Sequence, residues 1–246
     1  MDKPMDKAAN GGAVDKSKVV RDAATVILIR DKTTRPQVLM GQRGAKAAFM
    51  PNKFVFPGGA VDPSDGLVPL AEGGAEPCLT RLGEQADPAL SSALLVAAIR
   101  ELWEETGQML AAPGDWDGPV PKGWEAFATE GLIPSARGMA FVFRAITPKG
   151  RTRRFDARFF AVDADELRTD IDDFSRASDE LSHLQWIALD DVRRFDLPFI
   201  TEVVLAEIVG NLPDLGAPAQ VPFFNNSDEE SLFERLGGVG PLSAMG

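Results

Sequence analysis

Apolar positions along the chain keep two rhythms, and their order predicts a mixed α/β fold. Residues 23–30 (Ala-Ala-Thr-Val-Ile-Leu-Ile-Arg) are rich in β-branched side chains and bounded by charge, as a strand is. A turn over 31–36 brings back 37–43 as a second strand, and 53–56 is a short third that runs into Pro57-Gly58-Gly59. The rhythm then changes. Asp87-Pro88 supplies an N-cap followed by proline at the first helical position, and Leu95, Ile99, Leu102 and Trp103 recur on one helical face until Gly107 stops it. Strands are expected again over 139–146, 155–162 and 181–189. Helical segments follow over 190–195 and 198–212, the second with Ile200, Val203, Val204, Ile208 and Val209 at helical spacing. Short strands, one long helix, more strands and a closing helix fit a mixed sheet layered between helices.

The stretches between carry less pattern. Residues 1–21 mix Asp, Lys, Gly and Ala and read as a disordered leader to a domain over 22–212. Residues 66–86, rich in Gly, Pro and Ala, read as an insertion, and 111–138 as an irregular lobe with a short helix near Trp124 to Phe127. Residues 213–246 revert to Pro, Gly, Asn and acid and read as a C-terminal tail.

Composition narrows the partners. A chain of 246 residues, 44% hydrophobic, can bury one substantial core. A formal charge of −11 argues against non-specific nucleic-acid binding, which depends on Lys and Arg neutralising phosphates. It leaves a small anionic substrate open. The single Cys78 excludes an intramolecular disulfide and suits a reducing compartment. The single His183 excludes any metal site needing two imidazoles, and among Leu181, Leu184 and Trp186 it reads as a structural strand residue. No window approaches the ~18–20 apolar residues that span a bilayer, and no signal-peptide core is seen, so a cytoplasmic protein without membrane partners is expected. A homodimer is left open.

One feature resists a purely structural reading. The helix ends in Arg100-Glu101-Leu102-Trp103-Glu104-Glu105-Thr106-Gly107, three carboxylates within an arc of roughly 100°. Like charges at i, i+3 and i+4 repel by a few tenths of a kcal/mol, and the helix C-terminus opposes each by roughly 0.3–1 kcal/mol more. A hard divalent cation with oxygen ligands would offset that cost.

Together with Phe56-Pro57-Gly58-Gly59-Ala60-Val61-Asp62 upstream, this segment resembles the signature of the Nudix hydrolase family, G-x5-E-x7-R-E-U-x-E-E-x-G-U with U aliphatic. Gly59, Arg100, Glu101, Leu102, Glu104, Glu105 and Gly107 match in order. Three positions depart from it. The loop acid is Asp65 in place of Glu, 34 residues separate Asp65 from Arg100 where seven are usual, and Gln108 stands at the final aliphatic position. The resemblance implies the Nudix-type α/β/α sandwich with a mixed β-sheet. It also implies an enzyme that cleaves a pyrophosphate bond in a nucleoside diphosphate linked to another moiety.

Carried over residue by residue, Glu101, Glu104 and Glu105 are the expected ligands of Mg²⁺ or Mn²⁺, with the Gly59 carbonyl a further one. Such a metal neutralises phosphate oxygens and acidifies water, while the protein aligns the attack on phosphorus. Arg100 would orient a carboxylate through a charge-assisted pair. Glu180, in a later loop, is a candidate base. Gly58 and Arg43 are expected at the substrate, Arg43 because its strand lies beside the glycine loop. Two basic groups could meet phosphates, one formed by Arg43, Lys46 and Lys53, the other by Arg151, Arg153, Arg154 and Arg158.

The long insertion resembles that of a Nudix branch containing coenzyme A diphosphatases, with matching Phe49-Met50-Pro51, Val55-Phe56-Pro57-Gly58-Gly59 and Arg154-Phe155-Asp156. CoA or an acyl-CoA is then one substrate. ADP-ribose, NADH, or a domain that only senses a nucleotide are the alternatives. The insertion itself, anchored near Gly59 and Pro88, is expected to be a mobile lid over the leaving group.

Overall fold

A computed structural model describes residues 19–47, 49–226 and 232–237. Its strands are β1 (Val20–Arg30), β2 (Gln37–Arg43), β3 (Phe54–Val55), β4 (Gly58–Ala60), β5 (Ala111–Pro113), β6 (Leu132–Pro134), β7 (Ala140–Ile146), β8 (Arg154–Asp163), β9 (Leu181–Ala188), β10 (Val221–Asn225) and β11 (Leu232–Leu236). The helices are α1 (Glu76–Leu82), α2 (Leu90–Thr106), α3 (Glu125–Thr129) and α4 (Phe199–Asn211). Nine strands join in one mixed sheet, ordered β11-β10-β7-β8-β1-β2-β3, with β4 also on β1 and β9 also on β2.

β1 is the axis of the sheet, and its second edge places the site. One edge pairs in parallel with β8, from Val20 opposite Arg154 to Ile29 opposite Asp163. Buried from both sides, Val26 to Ile29 form the continuous apolar run that such a strand requires. The other edge forks. Ala23 to Thr25 pair with β4, whereas Ile29 and Arg30 pair with β2. At the fork the Val26 N–H donates to the Pro57 carbonyl at 2.9 Å. The glycine turn is thereby fastened to the middle of the sheet, where α2 crosses.

α2 is more deeply buried than a single stripe implies. Ala93 through Ile99 are all buried, and Ala97 and Ala98 on the flanks let neighbours approach from several sides. The helix starts at Leu90, three residues past the expected cap, with the Asp87 carboxylate accepting from the Ala89 N–H at 2.9 Å. It ends as expected, with Gly107 left-handed at φ 73° and its N–H on the Trp103 carbonyl. Trp103 belongs to the core beneath the irregular lobe, its ring edge-on to Phe127 at 5.8 Å. In that lobe β5 and β6 form a separate two-stranded sheet.

Three expectations are corrected. The insertion over 66–86 is built into the scaffold: it contains a 3-10 turn (Asp65–Leu67) and α1, with Val68, Cys78 and Leu82 buried. The Phe141 N–H, beside a register shift in β7, donates to Cys78 Sγ at 3.2 Å, and the Ala71 N–H donates to the Pro134 carbonyl at 2.9 Å. Its proline and glycine content hid these anchors, which hold α1 and the flanking turn against the core. Leu67 alone of its large apolar side chains stands well out, 82% exposed.

The tail over 213–246 contributes β10, parallel to β7, and β11, antiparallel to β10, because Val221 and Phe223 alternate inward on the strand. The leader also ends earlier, as Val20 and Arg21 already belong to β1, while 1–18 lie outside the described residues. Among the described residues no helix is long and apolar enough to cross a membrane.

Candidate active site

Close approach of backbone and carboxylate defines the site. A Cβ at residue 59 would collide with the Glu101 carboxylate, and one at residue 58 with the Ala24 carbonyl and the Thr25 side chain. Gly59 therefore lets α2 bring Glu101 directly onto β4, and Gly58 lets β4 lie close against β1. The Gly58 N–H donates to Glu105 Oε2 at 2.8 Å. Glu105 is 1% exposed, and its Oε1 is buried without a hydrogen-bond partner.

Arg100 organises the rest. Its Nε and Nη2 form a two-pronged pair with Asp65 Oδ1 and Oδ2 at 2.8 and 3.0 Å, both side chains being buried. Asp65 also accepts from the Asp62 N–H at 2.8 Å, so the shorter acid at the altered loop position closes its own turn while receiving Arg100. Nη2 reaches the Ala60 carbonyl at 3.0 Å. Nη1 donates to Glu101 Oε1 at 2.9 Å and Glu104 Oε2 at 3.3 Å. Arg100 thus ties the insertion, β4 and two of the three helix carboxylates together.

Charge is crowded here. Burial pushes the Glu105 carboxyl well above the ordinary glutamate range; the Gly58 N–H offsets part of this, Glu101 and Glu180 add to it, and Arg43 opposes it. Glu101 is raised too, first by burial and then by Glu104 and Glu180, against the pull of Arg100. Burial disfavours the Arg100 charge, but Asp65 and Glu101 outweigh it and raise its pKa. Across the cluster Arg43 Nη2 donates to Glu180 Oε1 at 3.1 Å, and Arg43 Nε is buried without a partner.

The donor chemistry suits a hard divalent cation, with clustered carboxylate oxygens, an orphaned buried Glu105 oxygen and the Gly59 backbone alongside. Among the described residues, no three His, Cys, Asp or Glu side chains are gathered closely enough to hold an ion as they stand. Arg100 Nη1 lies between Glu101 and Glu104 and holds both.

The fold therefore brings together Gly58, Gly59, Arg100, Glu101, Glu104, Glu105, Arg43 and Glu180. It does not do so for the second basic group. Arg158, 1% exposed, pairs with Asp22 at 2.5 Å and Asp156 at 3.3 Å. Arg154 is spent on the carbonyls of Thr147 and Asn226. Lys53 pairs with Asp196. His183 is exposed on β9, its Nδ1 beside Ser182 Oγ. Two contributors were not foreseen: the clamp role of Asp65, and Gln108, whose polar side chain at an aliphatic position was the available signal.

Comparison with known proteins bears on this arrangement. No family model matches the chain. A Caenorhabditis elegans protein named as nudix hydrolase 7 is 41% identical over 96 residues, which are 39% of this chain and 24% of that protein. An acyl-coenzyme A diphosphatase of Gallus gallus is 30% identical over 151 residues, covering 47% of this chain and 39% of that protein. The chain thus spans well under half the length of either curated relative. A crystal structure of a NUDIX hydrolase from Alicyclobacillus acidocaldarius matches with a TM-score of 0.57 at 26% identity, over 78% of this chain and 92% of that one. Sequence likeness to named nudix hydrolases over part of the chain, a shared fold over most of it and a signature whose residues meet in space agree: the chain is similar to Nudix hydrolases in its fold and in the residues of this site.

Proposed function

We propose that the protein is a metal-dependent pyrophosphohydrolase acting on a nucleoside diphosphate linked to a second moiety, with CoA or an acyl-CoA as the favoured substrate class. The observation that carries the reading is the carboxylate cluster held against the glycine strand, in which Glu105 is buried and its Oε1 is without a hydrogen-bond partner. Glu101, Glu104, Glu105 and the Gly59 carbonyl would hold Mg²⁺ or Mn²⁺. The bound ion supplies Lewis acidity toward phosphate oxygens and water. Arg100, locked by Asp65, fixes Glu101 and Glu104 so that they need not reorganise as charge develops. Arg43, half-buried and facing Glu180, offers a guanidinium to a substrate phosphate, and the Glu180 carboxylate can accept a proton from attacking water. The named activity of the Gallus gallus relative and the long insertion support the CoA class.

A substrate panel tests this. CoA, acetyl-CoA, ADP-ribose and NADH are incubated with Mg²⁺ or Mn²⁺ and products are resolved chromatographically. CoA and its thioester should yield adenosine 3′,5′-bisphosphate and a phosphopantetheine product, and chelation should stop the reaction. Preference for ADP-ribose or NADH would refute the CoA class, and no cleavage of any diphosphate would refute the enzyme reading.

A further inference from the structure

Gln108 follows the helix-ending glycine and is completely buried, although an aliphatic residue would fill that position without any polar requirement. Its amide is fully used. Nε2 donates to the carbonyls of Asp170 at 3.0 Å and Asp173 at 2.9 Å, and Oε1 accepts from the Thr169 hydroxyl at 2.5 Å. That hydroxyl in turn accepts from the Met109 N–H at 3.2 Å, and the Arg168 N–H donates to the Met109 carbonyl at 2.9 Å. A leucine could replace none of these bonds and would leave two carbonyls and a hydroxyl to find other partners.

Beyond this attachment the loop turns back over the end of α2. The Ser178 N–H donates to the Glu104 carbonyl at 2.9 Å. The Arg176 Cβ sits where a side chain at residue 107 would stand, so Gly107 both ends the helix and admits the loop. Two residues after Ser178 comes Glu180, whose Oε1 receives Arg43 Nη2 at 3.1 Å. From Gln108 to Glu180 the contacts form one connected path.

We infer that Gln108 is a positioning residue that clamps the 169–180 loop to the end of α2 and so sets Glu180 against Arg43 beside the helix carboxylates. The inference rests on the hydrolase reading for its effect on turnover, but the clamp itself can be measured without turnover.

The experiment compares wild type, Gln108→Leu, Glu180→Gln and the double variant. With CoA and Mg²⁺, Gln108→Leu should lower kcat by about 10-fold with KM within about twofold, and on the Glu180→Gln background it should lower kcat by less than about twofold. An equal loss on both backgrounds, or a Glu180→Gln enzyme with wild-type kcat, overturns the inference. In parallel, amide hydrogen exchange is read without substrate. Exchange at Ala177 and Ser178 should rise at least about 10-fold in Gln108→Leu, and likewise in Thr169→Val, which cuts the clamp from the loop side, while amides in the middle of α2 stay protected. Unchanged exchange at Ser178, or a rise shared with α2, overturns it. If wild type cleaves nothing, the hydrolase reading fails and the exchange comparison still decides the clamp.

Discussion

Two charge clusters, each with buried members, lie in this molecule, and they are built on opposite terms. At the joined ends of β1, β7 and β8, Arg144 forms a two-pronged pair with Asp156 at 2.9 and 2.7 Å, and Arg158 pairs with Asp156 and Asp22. Spare guanidinium donors go to backbone carbonyls, Arg144 to Glu84 and Gln85, Arg158 to Asp156. Arginines and acids balance, and the network binds the end of the insertion to the sheet. At the end of α2 the acids predominate. Asp65, Glu101, Glu104, Glu105 and Glu180 share Arg100 and Arg43, and one buried oxygen of Glu105 has no partner. Burial lowers the Arg158 pKa from its ordinary value, whereas it pushes Glu105 well above its own. The balanced cluster neutralises its charges within the chain, although Arg158 Nε is buried without a hydrogen-bond partner. An unbalanced one keeps a cost that a cation from outside would relieve.

That contrast breaks most visibly in the balanced cluster. Asp156→Ala removes the acid shared by two buried arginines and should cost about 3–5 kcal/mol of folding stability, since it leaves buried charge uncompensated. Denaturant melts should show it, while turnover per folded molecule stays near wild type. A variant of normal stability would mean the cluster is solvated and does not bind the sheet.

The reverse is expected at α2. Glu105→Gln keeps the shape and the acceptor for the Gly58 N–H but removes a buried charge. Activity should fall by at least about 10–100-fold, the loss typical even of residues supporting a metal site. The thermal midpoint without divalent metal should hold or rise, because like-charge repulsion at the helix end is relieved. Full turnover at saturating Mg²⁺ would remove Glu105 from the site. Arg43→Ala sharpens the same side: losing a charge-assisted bond of about 1.5–3 kcal/mol should raise KM for a diphosphate substrate by about 10–100-fold with less effect on kcat. An unchanged KM would leave Arg43 as the partner of Glu180 alone.

How far these clusters were legible in the sequence follows from the range of their contacts. The α2 carboxylates, Gly107 and Arg100 are local, set by a 3.6-residue period and a helix stop, and could be read directly. The main strands were legible for the same reason. What was missed depends on distant partners. Asp65 reads as a mere substitution until Arg100, 35 positions on, is seen to take both its oxygens. α1 is short, carries a proline near its start, and is held by contacts from Cys78 to Phe141 and from Arg81 to Pro218 and Ala219. β10 and β11 lie in a segment whose prolines and acids suggest a tail, and they are strands because β7 offers an edge. Arg154 and Arg158 counted as free positive charge only because Asp22, Asp156 and the Asn226 carbonyl were not yet beside them.

Arg153 carries the smallest effect and makes the sharpest boundary between the clusters. The sequence groups it with Arg154 as a candidate phosphate contact, yet it is exposed while Arg154 is buried and bonded to two carbonyls. Exposed substitutions away from caps, pairs and strained backbone shift stability by no more than about 0.5 kcal/mol. If substrate phosphates are read at the α2 cluster, Arg153→Ala should therefore leave both the thermal midpoint and KM at wild-type values at low salt, where any long-range attraction would be strongest. A several-fold rise in KM that disappears at high salt would place part of the substrate near the start of β8. The balanced network would then border the binding surface, and the separation of scaffold from site would fail there first.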